Sequence, residues 1–153
     1  METNWSKQSH LTNLNNNSSD EISKIQGILI DTSFLISIVE LGKDIFSMIN
    51  EHIGENLPFV ILKSVENELH TLISKGDSIG LKAKSALNLI KNFNIIDYDE
   101  NNNVDDSLIK ITKKINFIVA TTDNDLRKKL RDNHVPVIYI KNGYIKTDNY
   151  IMY

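Results

Sequence analysis

The sequence predicts an α/β protein, a three-layer α/β/α sandwich built on a mostly parallel, five-stranded sheet. Three observations carry this expectation. Short apolar runs alternate with segments whose apolar residues recur at helical spacing. The intervening segments are long enough for helical crossovers, which join parallel strands with a right-handed turn. Carboxylates follow several of the apolar runs, and in such sheets ligands bind beyond the C-terminal ends of the strands.

Each element has its own justification. Ile25–Ile30 is an apolar run closing on Asp31 and reads as a buried strand. Thr32 or Ser33 can cap the helix that follows, in which Phe34, Leu35, Ile38, Val39 and Leu41 keep helical spacing up to Gly42. Asp44–His52 is a second helix, with Ile45, Met48 and Ile49 on one side and Gly54 just beyond its end. Pro58 leads into the strand Phe59–Leu62, and Ser64 opens a helix reaching about Lys75. Leu81–Lys91 is a helix that runs through Phe93, Asn94, Ile95 and Ile96 as a third strand.

Asn101–Asn103 reads as a loop, and Asp105–Lys114 as a helix with Leu108, Ile111 and Ile115 inward. Phe117–Thr121 is the fourth strand, and Asp123–Asp132 is a helix anchored by Leu126 and Leu130. Val135–Ile140 is the fifth strand, with Pro136 pointing to a strand start or a sheet edge. From Gly143 onward Tyr144, Ile145, Tyr150, Ile151 and Tyr153 are too apolar to remain unpacked; this segment packs on the core, adds a strand or meets a partner. Residues 1–23, rich in Asn and Ser with Trp5, Leu11 and Leu14 scattered, read as a disordered tail ahead of a single domain over 24–153. Docking of a short helix through Trp5 is the alternative for that tail.

Composition narrows the chemistry. A chain of 153 residues with 41% hydrophobic and 24% charged content has material for one domain with one core. The absence of Cys excludes disulfides, Zn–thiolate sites and thiol nucleophiles. No apolar run approaches the roughly 18–20 residues that span a bilayer, and the N-terminus lacks the apolar core of a secretory signal, so a cytoplasmic location without membrane association is expected. Net charge is −3; removing the five negative charges of Asp31, Glu68, Asp106, Asp123 and Asp125 leaves +2 on the remainder. Net charge therefore does not exclude a polyanionic partner.

Four acidic clusters are the candidate chemistry: Asp31, Glu66 with Glu68, Asp105 with Asp106, and Asp123 with Asp125. Each has a structural explanation. Asp31 and Asp123 can cap helices, and the pair 105–106 suits a helix N-terminus. Asp125 can pair with Lys129 one helical turn on, and Glu66 and Glu68 can be solvated flanks. Those two glutamates lie about 200° apart on a helix, so only one can face a shared site. Carboxylates converging from distant segments repel one another unless a cation lies between them, and oxygen-only donors favour Mg²⁺ or Mn²⁺ over Zn²⁺. His10, His52, His70 and His134 have no metal-ligand spacing and read as surface residues. No glycine-rich phosphate loop and no serine nucleophile elbow occurs.

A basic belt accompanies the acids. Arg127, Lys128, Lys129 and Arg131 follow the last cluster, and Lys110, Lys113 and Lys114 lie on the preceding helix. An ordinary solvated face is one reading. Arg127 and Arg131 also share a helix face, as contact with a phosphate backbone requires.

Taken in order, these motifs resemble a PIN-domain nuclease. The resemblance covers Ile25 to Ile140. It rests on Ile-Asp31-Thr32-Ser33, on Val65-x-x-Glu68-Leu69, on Asp105-Asp106-Ser107-Leu108-Ile109, and on Ile118-Val119-Ala120-Thr121-Thr122-Asp123-Asn124-Asp125-Leu126. No single element is specific, but the ordered set is. The resemblance assigns Glu68 and Asp106 to the site in preference to their neighbours. The stretch Ile118–Ile140 is similar to PIN endonucleases of the small-subunit processome and their archaeal relatives, with VapC-type toxins as a related branch. Many members carry Asn where this chain has Ser33.

What the resemblance implies is metal-assisted hydrolysis of RNA phosphodiesters in ribosomal RNA processing. One or two Mg²⁺ or Mn²⁺ ions would be held by Asp31, Glu68, Asp106, Asp123 and Asp125, with Thr121 orienting a ligand or water. Arg127, Lys128, Arg131 and Lys113 would contact RNA. Implied partners are structured precursor RNA, a ribosome-assembly protein or an antitoxin, and a second copy of the chain. The alternatives are a toxin ribonuclease of an antitoxin pair and a catalytically silent PIN module acting as a scaffold.

Overall fold

The computed structural model describes residues 24–98 and 103–149. The expected N-terminal tail, two residues of the Asn101–Asn103 loop and the last four residues lie outside them.

Twelve elements alternate along the chain: β1 (Gly27–Ile30), α1 (Thr32–Leu41), α2 (Ile45–Ile53), β2 (Phe59–Leu62), α3 (Lys63–Ser74), α4 (Ser78–Leu89), β3 (Asn94–Ile96), α5 (Val104–Thr112), β4 (Phe117–Ala120), α6 (Asn124–Asp132), β5 (Val137–Lys141) and β6 (Tyr144–Asp148). The sheet order is β3-β2-β1-β4-β5-β6. Every pairing is parallel except β5 with β6, which is antiparallel. Every residue of β1 and β4 is buried, as strands covered by helices on both faces must be. The α/β expectation holds, with one more strand than the five expected.

The sixth strand follows from a two-residue turn. Asn142 and Gly143 have φ of 54° and 78°, and Lys141 pairs with Tyr144 across them. Two consecutive left-handed residues reverse a chain with the twist that paired strands need, which is why Asn-Gly favours tight hairpins. The segment after Gly143 therefore adds a strand. That strand makes β5 interior, not an edge. Pro136 stands just before β5, where its missing N–H costs nothing and its carbonyl accepts the Val119 N–H at 3.0 Å.

The helix boundaries shift by a few residues for visible reasons. Helix α1 begins at Thr32, with Asp31 at the N-cap position, so neither Thr32 nor Ser33 is the cap. Asp44 caps α2 by accepting the Ser47 N–H, and Asp77 starts α4 three residues ahead of the expected Leu81 by accepting the Gly80 N–H. Helices α1 and α2 end at Gly42 and Gly54, both left-handed.

Helix α4 approaches α3 closely because residue 80 is glycine. A Cβ there would stand 2.9 Å from the Leu72 carbonyl oxygen, a backbone atom that cannot step aside. Gly80→Ala is expected to destabilise the fold by about 1–3 kcal/mol, the usual cost of overpacking, despite the better helix propensity of Ala. Chemical denaturation checks this; an unchanged midpoint would show that the two helices separate freely.

Candidate active site

The site is set by the pairing of the two central strands. β1 and β4 run parallel with Ile30 beside Ala120, and the Asp31 N–H continues the ladder to the Ala120 carbonyl at 2.9 Å. The next residues, Asp31 and Thr121, therefore leave the sheet side by side at its C-terminal edge. Thr121 donates its hydroxyl to Asp31 Oδ2 at 2.9 Å, across 90 positions of sequence. Ser33 in the first turn of α1 donates to the same oxygen at 2.8 Å. Both hydroxyls also accept backbone N–H groups from the turn after β4: Ser33 Oγ from Thr122 at 3.1 Å, and Thr121 Oγ1 from Asp123 at 3.1 Å.

Asp123 caps α6. Its Oδ1 accepts the N–H groups of Asp125 at 2.9 Å and Leu126 at 3.2 Å. The capping role is real, but Asp123 also lines a cleft of about 500 Å³ together with Asp31, Glu68 and Asp105. The remaining wall includes Thr32, Ser33, Ser37 and Thr122, with Ile36, Leu72, Ile79 and Val104 as its apolar part. Thr32 Oγ1 is buried beside Asp31 without a hydrogen-bond partner.

Electrostatics ties the acids together. Burial pushes the Asp31 carboxyl above the usual carboxylate range; the Ser33 and Thr121 hydroxyls oppose that shift, and the Glu68 charge adds to it. Asp105 is also raised, first by burial and then by the charges of Asp31 and Asp123. Lys129 of α6 acts on Asp105 in the opposite direction. Four carboxylates from four separate segments thus face one cavity and disfavour one another's ionisation. Hard oxygen donors in mutual repulsion are a donor set suited to a divalent cation. Among the described residues, no three acidic or His side chains stand in a ready-made coordination cage.

The residues expected from sequence divide. Asp31, Glu68, Asp123 and the buried Thr121 come together. Glu66 turns away and pairs with Lys63 at 2.6 Å. Asp106 is exposed and lies off the cleft, whereas Asp105 lines it. Asp125 is exposed one turn into α6 and contributes only its N–H to Asp123. Sequence reasoning also passed over Ser33 as a partner of Asp31, and over Lys129 beside Asp105. The Thr-x-Asp spacing of Thr121 and Asp123 carried a signal for the hydroxyl network; nothing in the adjacent pair 105–106 chose between its members.

The basic belt divides as well. Arg127 is half-buried: its Nε donates to Asp148 Oδ2 at 2.8 Å, and its guanidinium lies 3.5 Å above the Tyr139 ring. These contacts fasten α6 to β5 and β6, a structural use that competes with phosphate contact. Lys128, Lys129 and Arg131 remain exposed on α6, and Lys113 is exposed at the end of α5.

Comparison with known proteins agrees with this geometry. The family described as PIN like domain matches residues 28–143. Ribonuclease VapC4 of Methanocaldococcus jannaschii is 34% identical over 119 residues, covering 74% of this chain and 89% of that protein. Ribonuclease VapC9 of Archaeoglobus fulgidus is 28% identical over 120 residues, covering 78% and 86%. Among solved structures, the PIN domain endonuclease Utp24 superposes with a TM-score of 0.70 at 20% identity, covering 82% of this chain and 93% of that one. A domain of a functionally unknown protein from Methanocaldococcus jannaschii superposes with a TM-score of 0.59 at 15% identity, covering 82% and 99%. With its family match spanning both central strands and every acid of the cleft, the chain belongs to the PIN-like domain family.

Proposed function

We propose that this protein is a metal-dependent endoribonuclease that hydrolyses RNA phosphodiester bonds at the Asp31 cleft. The observation that carries the reading is the convergence of Asp31, Glu68, Asp105 and Asp123 on one cavity, with Asp31 buried and held by two hydroxyls. The ribonuclease relatives support RNA as the substrate.

Asp31, Glu68, Asp105 and Asp123 would hold Mg²⁺ or Mn²⁺, directly or through water. When bound, the cation supplies positive charge that favours ionisation of an attacking water and offsets charge on the leaving oxygen. The chain's own residues do the rest. Thr121 and Ser33 fix the Asp31 carboxylate by donating to one of its oxygens. The Asp123 carboxylate is fixed through Oδ1 by two N–H groups of α6. Lys129, close enough to Asp105 to favour its charge, stands where it can attract an RNA phosphate, with Lys128 and Arg131 exposed on the same helix.

Two RNA targets are supported by different observations. The basic stretch after Asp123 favours structured ribosomal precursor RNA, through its likeness to processome endonucleases. The 34% identity to Ribonuclease VapC4 favours a VapC-type ribonuclease controlled by an antitoxin. Mapping cleavage sites on total RNA, by sequencing the new 5′ ends, separates them: cuts confined to ribosomal precursors favour maturation, and cuts in mature transfer, ribosomal or messenger RNA favour a toxin.

Cleavage of a structured RNA in Mn²⁺ tests the active-site assignment. Asp31→Asn, Asp105→Asn and Asp123→Asn are each expected to lower the rate by about a hundredfold or more, beyond what loss of a supporting group costs a metal site. Asp106→Asn is expected to stay near wild type. Equal cleavage by wild type, Asp31→Asn and Asp123→Asn would refute the site; loss in Asp106→Asn but not Asp105→Asn would exchange the two neighbours.

The raised carboxyls give a second test, in metal-free protein. Asp31 and Asp105 hold protons in the folded state at pH values where the unfolded chain has released them. Stability from these groups is therefore full below the ordinary carboxylate range and is lost as pH rises through their raised folded values. With chelator present, Tm is expected to fall with rising pH across that window. Asp31→Asn should flatten the slope and raise Tm at neutral pH by a few degrees. Adding Mn²⁺ should raise the wild-type Tm and move that of Asp31→Asn much less. A steeper slope in the variant, or no Mn²⁺ effect on wild type, would contradict the account.

A further inference from the structure

The hydroxyl of Ser33 has a position that capping and solvation do not explain. Its Oγ donates to Asp31 Oδ2 at 2.8 Å, accepts the Thr122 N–H at 3.1 Å and lies 3.2 Å from Thr121 Oγ1. Thr121 Oγ1 repeats the pattern one residue over: it donates to the same Asp31 oxygen and accepts the Asp123 N–H. Each hydroxyl has one proton, and each gives it to Asp31. The short contact between the two hydroxyls is thus the meeting of two donors on one acceptor, not a bond between them. Oδ2 is occupied twice and Oδ1 receives neither hydroxyl. A carboxylate gripped through one oxygen cannot rotate without breaking both bonds.

We propose that Ser33 is a positioning residue: it fixes the Asp31 carboxylate so that Oδ1 is the oxygen left for a divalent cation, and it locks that carboxylate to the Thr121–Asp123 turn. The inference rests on the cleft being a metal site. Ser33 and Thr121 act as two parallel struts. One runs from α1 to the Thr122 amide, the other from β4 to the Asp123 amide, and both end on Asp31. The backbone of the Asp123 turn is thereby set relative to Asp31, which fixes the separation of two carboxylates that no direct contact joins. Supporting groups of this kind orient metal ligands and strengthen binding without touching the ion. Where Asn stands in place of Ser33, its longer amide can donate to a carboxylate but cannot copy a single hydroxyl that both donates and accepts; Thr can.

The test compares full-length wild type, Ser33→Ala and Ser33→Thr. Mn²⁺ affinity is measured by calorimetry and by electron paramagnetic resonance, alongside steady-state cleavage of one RNA and thermal melts. Ser33→Ala is expected to weaken Mn²⁺ binding about tenfold, with kcat reduced and KM for RNA unchanged. Ser33→Thr is expected to keep wild-type Mn²⁺ affinity and kcat, since it restores the hydroxyl. Wild-type affinity and kcat in Ser33→Ala overturn the proposal. So does a loss in Ser33→Thr as large as in Ser33→Ala while Tm is unchanged. If wild type itself takes up no Mn²⁺ and cleaves no RNA, the metal-nuclease reading fails and this role falls with it.

Discussion

The parallel pairing of β1 with β4, in the register that sets Ile30 beside Ala120, is the constraint from which the site follows. Ninety positions separate Asp31 from Thr121, and nothing local brings them together. The register delivers both side chains to one edge of the sheet at hydrogen-bonding distance. A shift of one residue would send Asp31 and Thr121 to opposite faces. The shift is opposed by burial: every residue of both strands is inside the core, so no alternative pairing keeps the apolar surface covered. The core therefore specifies the position of the acid.

A buried carboxylate surrounded by other carboxylates is costly to hold. Here the cost is offset partly by two hydroxyls on Asp31 and partly by the N–H groups of α6 on Asp123. The remaining repulsion is visible as the raised carboxyls of Asp31 and Asp105. A capping interaction and a ligand role coexist in Asp123 because the two helix N–H groups take only Oδ1. This is why structural explanations for single acids, sound one at a time, do not argue against the cleft. Arg127 is the reverse case, a cation that looks available in sequence and is committed to Asp148 and Tyr139 in the fold.

The sequence made the alternation of strands and helices legible because buried strands read as apolar runs and amphipathic helices as spaced ones. Asp31, Glu68 and Asp123 were legible for the same reason, since strand ends and helix starts fix where they lie. Two things were harder. The order of adjacent acids 105 and 106 depends on the rotation of α5, which its apolar spacing leaves uncertain by about one position. The use of Arg127 depends on β6, whose partner is distant in neither sequence nor space but was not assigned as a strand. Asn142-Gly143 between Val137–Lys141 and Tyr144–Asp148 was the available signal, a hairpin turn written in the residues that tolerate positive φ. The Ser33 struts were out of reach, because hydroxyl geometry depends on the register of two strands and not on spacing.

The central claim is that the four carboxylates form a divalent-cation site. Anomalous diffraction from a crystal soaked in Mn²⁺ tests it most directly. A Mn²⁺ peak within coordination distance of Asp31 Oδ1 and of Asp123, with Glu68 and Asp105 reaching it directly or through water, is the expected result. Saturating Mn²⁺ with no peak in the cleft, or a peak held by Asp106 and Asp125 instead, would contradict the account.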